Sequence, residues 1–283
     1  MHGKTYRMLH VELDRGCPYD CTYCCSPALK RIYGSGYYRT KTIDRLLREM
    51  LYLKGRWNPD YIDFNSETLL ARPRKNIQFF MEKYRKYIHV PFWCQSRPET
   101  ISKEKLLDLK MGGVSDMQFG VEHGNEDFRR KWLNRKASNK VILNGLRMVE
   151  DEGIPYTVNN IIGWPEETRE LVFDTINFNR KINPKTMNVY MMTPYRGTRM
   201  REYCEAEGFV APDARSMQLL GGVEGMTYRY MTREQFKGLQ RTFPLWVKMS
   251  DKEKDIRKAE KFNGQGNIAF EELREEYIRR YYK

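Results

Sequence analysis

Cys17-Pro18-Tyr19-Asp20-Cys21-Thr22-Tyr23-Cys24 puts three cysteines within eight residues, spaced C-x3-C-x2-C. A loop that short can turn three thiolates onto one point, and thiolates are soft ligands that suit iron–sulfur clusters and zinc. A protein [4Fe–4S] cluster usually takes four cysteines, so three in one loop would leave one iron to a non-protein ligand. The competing reading is a zinc site of three cysteines and one other residue. Cys25 follows directly, and its side chain should point away from that of Cys24. It is expected to be a buried or neighbouring thiol and not a ligand. Cys94 and Cys204 are expected in the core.

The loop is entered from a strand. Over residues 6–13, Leu9, Val11 and Leu13 alternate with His10 and Glu12. Residues 26–41 are rich in Gly, Ser and Tyr and read as loop. Ile43, Leu46, Leu47, Met50 and Leu51 then recur at helical spacing, with Asp44 in the first turn. Further strands are predicted over 61–64, 90–96, 116–121, 156–162 and 186–192. Helices are predicted over 76–87, 103–110, 166–181 and 199–207, with helical segments between 125 and 152. Six strand–helix units in a row imply a parallel sheet with helices outside it, and six do not complete an eight-fold barrel. The fold class is α/β, a partial (β/α)6 TIM-type barrel over residues 1–208. Residues 209–283 form a mostly helical extension that closes the open barrel edge or lines the substrate side. Within it, Phe270, Leu273, Tyr277 and Tyr281 place one apolar stripe on a terminal helix.

Working residues of such barrels lie at the C-terminal ends of strands. There the chain carries Glu67 in Phe-Asn-Ser-Glu-Thr-Leu, Arg97 in Ser-Arg-Pro-Glu-Thr-Ile, and Glu122 in Phe-Gly-Val-Glu-His-Gly. It also carries Gly163 in Ile-Ile-Gly-Trp-Pro-Glu-Glu-Thr, and Tyr195-Arg196-Gly197-Thr198. Plain structural readings compete: a surface carboxylate for Glu67, an ion pair for Arg97, and for His123 a packed ring against a substrate-side acid or base.

The cysteine spacing, Tyr23 before the last cysteine and the six-unit count together resemble the radical S-adenosylmethionine (radical SAM) superfamily. That resemblance implies a [4Fe–4S] cluster on Cys17, Cys21 and Cys24, with S-adenosylmethionine (SAM) chelating the open iron. It implies Glu67 near the cofactor amino group, Arg97 near its carboxylate, Glu122 on its ribose hydroxyls and Gly163 along its adenine, with Tyr23 beside them. The reduced cluster would cleave SAM to a 5′-deoxyadenosyl radical that abstracts hydrogen, and an electron donor such as flavodoxin or ferredoxin is the implied partner. Arg15-Gly16-Cys17 and the later motifs look most like the cobalamin-binding subgroup, many of whose members methylate unactivated carbon. Here Glu166 stands for a glycine and Arg196 for a proline of its motifs. Its cobalamin domain normally precedes the barrel, yet the first strand here begins by Tyr6. Three expectations follow: a fragment, a partner that supplies a cobalamin-binding domain, or chemistry without cobalamin. The alternatives are an RNA-modifying radical SAM enzyme, and a structural or electron-carrying iron–sulfur or zinc protein.

Composition bounds these readings. With 40% apolar and 31% charged residues over 283 positions, the chain is globular and not disordered. No stretch approaches the roughly 20 apolar residues of a membrane span, and no apolar segment follows Met-His-Gly-Lys to make a secretory signal. Four of six cysteines fall within nine residues, which is unlike a disulfide framework, so a reducing, cytoplasmic setting is expected. The net charge of +13 is spread along the chain, which favours a solvated basic exterior over a nucleic-acid partner. The substrate, small molecule or polymer, is not named by any motif.

Overall fold

The computed structural model describes residues 5–215, 222–223 and 225–281. Its centre is one parallel sheet of six strands in sequence order: β1 (Met8–Glu12), β2 (Tyr61–Asn65), β3 (Phe92–Ser96), β4 (Val114–Glu122), β5 (Tyr156–Ile162) and β6 (Thr186–Met191). Every neighbouring pair is parallel. Strand alternation sorts the side chains. Val11, Ile62, Phe64, Phe92, Cys94, Met117, Phe119 and Val158 face the helices and are buried in the main core. Their neighbours Asp63, Gln95, Gln118, Asn159 and Asn188 face the other way and stay partly exposed. A closed eight-strand barrel would fill that interior with branched apolar side chains; this one lines it with polar groups. The partial (β/α)6 barrel is therefore borne out.

The outer layer comprises α2 (Ile43–Trp57), α3 (Arg74–Tyr87), α4 (Lys103–Gly112), α5 (Glu126–Leu133), α6 (Asn139–Asp151), α7 (Arg169–Asn179) and α8 (Arg199–Ala206). Their limits follow from local chemistry. The Ser102 hydroxyl accepts from Lys105 N–H at the start of α4, and Gly113 closes it in the left-handed region.

One segment departs from expectation. Residues 26–41 begin with eight of the nine residues of a helix, α1 (Cys25–Tyr33), and are not all loop. The Cys24 sulfur accepts from Ser26 N–H at 3.4 Å and caps it, Pro27 sits in the tolerant first turn, and Ala28, Leu29, Lys30 and Arg31 are good helix formers. Only Gly34 to Tyr38 carries the loop composition that dominated the reading. Cys25 is also corrected: it is the exposed first residue of α1, not a buried thiol, whereas Cys94 and Cys204 are buried as expected.

Beyond α8 come α9 (Arg233–Lys248), α10 (Glu253–Ala259) and α11 (Gly264–Tyr281). They build a second core with α7 and β6 around Phe236, Leu239, Phe243 and Trp246. Gln240 Nε2 donates to the Val189 carbonyl at 2.9 Å, so α9 lies along the last strand of the sheet. Leu273 is buried, Phe270 and Tyr277 pack against that core, and Tyr281 at the end of the stripe is exposed. The mixed stretch 209–225 lies partly outside the described residues. No helix among the described residues is long and apolar enough to cross a membrane.

Candidate functional site

The cysteine loop leaves β1 and is clamped from two sides. Thr22 N–H donates to the Leu133 carbonyl at 3.3 Å, and Asn134 Nδ2 donates to the Asp20 carbonyl at 2.6 Å, so the end of α5 holds it. Met200 N–H donates to the Thr22 carbonyl at 3.0 Å, adding the start of α8. At its entry, buried Asp14 accepts from Arg72 (2.8 and 3.1 Å) and from Ser66 (2.9 Å). None of these contacts is local in sequence, and none was expected.

Held this way, Cys17, Cys21 and Cys24 line one cavity of about 200 Å³ with Tyr23, Glu67, Arg97, Glu122 and Arg135. Gln95, Gln118 and Asn159, on the inner face of β3, β4 and β5, also line it. Cys25 does not. Burial pushes the Cys17 thiol up to about 11 and the Cys24 thiol to about 12. As free thiols both stay protonated at neutral pH, and bound metal would be needed to hold them as thiolates. Among the described residues no three His, Cys, Asp or Glu side chains come close enough to hold a single metal ion. Zinc, with Zn–S near about 2.3 Å, needs that closeness. A cluster would give each thiolate its own iron.

Arg97 forms the ion pair of its structural reading and also reaches the cysteine loop. Its guanidinium lies 3.7 Å from the centre of the Tyr19 ring, and Nη1 donates to the Cys21 sulfur at 3.4 Å. Nε donates to Glu99 at 2.7 Å, so it is also half of an ion pair. Glu99 ends in the same network. Burial pushes its carboxyl up, but Arg135 and Arg97 outweigh this and hold it below its usual range.

Arg135 is the residue that sequence reading missed. Almost completely buried, it donates to Glu122 Oε1 at 3.0 Å and to the Gly120 carbonyl at 2.8 Å, and stands 3.6 Å from Glu99. Its only sequence signal is Leu-Asn-Arg after α5, where Asn134 turns left-handed and delivers it inward. Glu122 itself sits at φ 66°, after a shift of register at the end of β4. Its side chain folds back over Gly120, where an added Cβ would lie 2.1 Å from Oε1. Burial raises the Glu122 carboxyl against the pull of Arg135. Burial also raises the Tyr23 phenol, beside Glu122 and Arg135. Glu67 stands on the cavity rim, raised by its surroundings and by Asp14.

Two candidates lie elsewhere. His123 is fully buried, its ring stacked on Phe128 with centres 4.3 Å apart. Its Nδ1 accepts from Asn125 N–H at 3.1 Å, so Nε2 carries the hydrogen and donates to Glu167 at 3.1 Å. It is the packed ring of the structural reading. Gly163, at φ 80°, is not part of the cavity wall; a Cβ there would meet Met191 at 2.6 Å. Its N–H and that of Trp164 donate to Glu167 (2.7 and 3.1 Å), which shapes the turn, while the Trp164 ring meets Tyr23 edge-on. Glu166 accepts from Arg229 at 2.9 Å and tethers the extension.

A cysteine-lined cavity at the C-terminal ends of a six-strand partial barrel is the architecture of a radical SAM core. The chain belongs to the Radical SAM superfamily, whose family model matches residues 11–178. It is an enzyme of that family, and the family implies a [4Fe–4S] cluster and SAM. An uncharacterised methyltransferase of Pyrococcus horikoshii is 24% identical over 200 residues, which are 71% of this chain and 42% of that protein. The radical SAM methyltransferase TsrM of Kitasatospora setae, solved with cobalamin and a [4Fe–4S] cluster, superposes with a TM-score of 0.62 at 16% identity, over 76% of this chain and 40% of that one. The cobalamin-dependent radical enzyme OxsB, solved with aqua-cobalamin and SAM, gives 0.63 at 14% identity, over 96% of this chain and 46% of that one. These two show a shared fold, which for OxsB takes in the helical extension. The chain spans less than half the length of each of the three.

Proposed function

We propose that Cys17, Cys21 and Cys24 hold three irons of a [4Fe–4S] cluster and that SAM lies in the cavity they line. Once bound and reduced, the pair supplies a 5′-deoxyadenosyl radical able to take hydrogen from an unreactive position; that chemistry is the cofactor's. The chain's own part is binding, orientation and exclusion of water. Arg97, fixed by Tyr19 and Glu99, keeps a cation beside Cys21 for the methionine carboxylate. Glu67, at the rim, takes the amino group. Glu122, bent inward by its left-handed backbone and steadied by Arg135, accepts from the ribose hydroxyls. Tyr23 walls the cavity, and the turn at Gly163, braced by Glu167, supports Tyr23 from behind through the Trp164 ring. Residues 1–208 carry this machinery, and in the extension 209–283 helix α9 lies along the last strand.

The observation that carries the reading is that three thiols from one loop meet Glu67, Arg97 and Glu122, from three different strand ends, around one cavity. The reaction beyond radical formation is proposed as methyl transfer to carbon, in line with the similarity to the Pyrococcus methyltransferase. Anaerobic reconstitution tests both levels. The expected result is about four irons per chain, a cluster spectrum that shifts on adding SAM, and 5′-deoxyadenosine after reduction. Cys17→Ala, Cys21→Ala and Cys24→Ala should each lose the cluster, and Cys25→Ala should keep it. Stoichiometric zinc without iron would overturn the assignment. Binding of hydroxocobalamin by the reconstituted protein would support the methyl-transfer subgroup; 5′-deoxyadenosine without any cobalamin binding would count against it.

A further inference from the structure

Radical SAM enzymes generally need a reductant. The proposed cluster sits on the cysteine loop, and one surface is rooted at both ends of that loop. α1 begins at the residue after Cys24, and its outer end carries Ile32 and Tyr33, 72% and 67% exposed, the most exposed large apolar side chains among the described residues. Tyr33 stacks on Tyr37, ring centres 5.8 Å apart and planes within 15°. Tyr37 in turn lies against Gly16, the residue before Cys17, so closely that a Cβ on Gly16 would meet its ring at 2.9 Å. The apolar platform thus touches the loop's first thiol position through Gly16. It reaches the last along eight residues of helix, about 12 Å.

Charge distinguishes this surface from an ordinary apolar patch. Between Thr22 and Thr42 there is no aspartate or glutamate, while Lys30, Arg31, Arg39 and Lys41 are all present. Among the described residues Lys41 is paired with Glu49 and Arg31 reaches Glu202 at 3.5 Å, but no carboxylate lies within 4 Å of the charged ends of Lys30 or Arg39. Two exposed apolar side chains in an acid-free segment that carries two cations without an ion pair, Lys30 and Arg39, fit a partner with an acidic rim around a small apolar centre.

We propose that α1 and the Gly34–Tyr38 turn form the docking face for an acidic one-electron carrier protein, of the reduced flavodoxin or ferredoxin kind. This rests on the cluster assignment above. The step moves one electron: the carrier is oxidised by one, the cluster is reduced by one, and no bond or proton changes hands.

The test uses the anaerobically reconstituted full chain and an acidic flavodoxin. Flavodoxin binding is measured by interferometry at low and at physiological salt, and cluster bleaching by the reduced flavodoxin is followed by stopped flow. A double variant, Lys30→Glu with Arg39→Glu, and a separate Ile32→Ser with Tyr33→Ser variant alter exposed side chains only. Each is expected to weaken binding and to slow flavodoxin-driven bleaching by about tenfold or more, the charge variant also losing the salt dependence. Dithionite, which needs no docking face, should bleach the wild type and both variants at the same rate. Unchanged flavodoxin binding and rates in the variants would overturn the docking face while the cluster stands. Loss of binding to unfractionated RNA, or of self-association, in place of flavodoxin binding would also overturn it. A wild type that dithionite cannot bleach would instead overturn the cluster assignment beneath it.

Discussion

Glu122 and His123 are adjacent in sequence and end in opposite kinds of interior. Glu122 turns into the cavity and joins Arg135, Glu99, Arg97 and Tyr23, where charges of both signs stand in one partly open pocket. His123 turns behind the wall and joins Glu167, Gly163 and Trp164, where each hydrogen bond serves to hold a backbone turn. The cavity network keeps capacity for a ligand, because the Gln95 and Gln118 side chains line the cavity beside the charged groups. The network behind it is closed on itself. Substitutions on the two sides should therefore separate binding from stability.

The largest effect is expected at Arg135, where the two roles overlap. Arg135→Gln removes the cation beside Glu122 and leaves that buried carboxylate uncompensated, while Glu99 keeps Arg97, a loss of about 3–5 kcal/mol. Denaturant titration of the metal-free protein measures it, and a loss below about 1 kcal/mol would show that the network is solvated. Next comes Glu167→Ala, which unpairs His123 and the Gly163 and Trp164 N–H groups. It should cost on the order of 3 kcal/mol in the same titration while the folded fraction still takes up iron. Third, Glu122→Gln leaves Arg135 with Glu99 and the Gly120 carbonyl, so it should cost less stability than Arg135→Gln and weaken SAM binding by about 10- to 100-fold, the worth of one hydrogen bond to a charged group. Equal SAM affinity in the variant would remove Glu122 from the binding set and erase the contrast with His123.

The smallest effect sharpens the comparison by pH. In the metal-free protein Cys17 and Cys24 have pKa values raised to about 11 and about 12 by burial. A raised thiol pKa leaves less thiolate at neutral pH, so alkylation of both should be slow at pH 7. It should quicken about tenfold per pH unit until the pKa is reached. Mass mapping of iodoacetamide adducts gives the rates, and neutral-pH labelling as fast as a free peptide thiol would mean the loop is not buried as described.

Much of the site was legible because its chemistry is local. Three thiols within eight residues announce themselves, and a charged residue at a strand end is visible once the strand is found. Reading failed where the deciding contact was distant or short-range detail was averaged. The Gly34–Tyr38 composition hid α1, because a window over 26–41 blends a good helix with the turn that follows it. Arg135 was invisible because its partners lie thirteen and thirty-six residues upstream, on a strand end and in the turn after β3. Gly163 was legible as a position needing left-handed backbone, but not as one that lies behind the cavity wall.

What the sequence alone determined is the order of six strand–helix units and the three-thiol loop after the first strand. Strand period and ligand spacing are properties of short segments, so they are written in consecutive residues. What only the tertiary structure decided is which way each strand end turns. Glu122 faces the cavity because its backbone is left-handed and Gly120 leaves room for the side chain. His123 faces away because Glu167, forty-four residues on, receives its ring hydrogen in the wall. The same holds for the surface over the loop: Tyr37 reaches the start of the cysteine loop only because the chain returns to pack on Gly16. That proximity depends on long-range packing, which no single stretch of residues encodes.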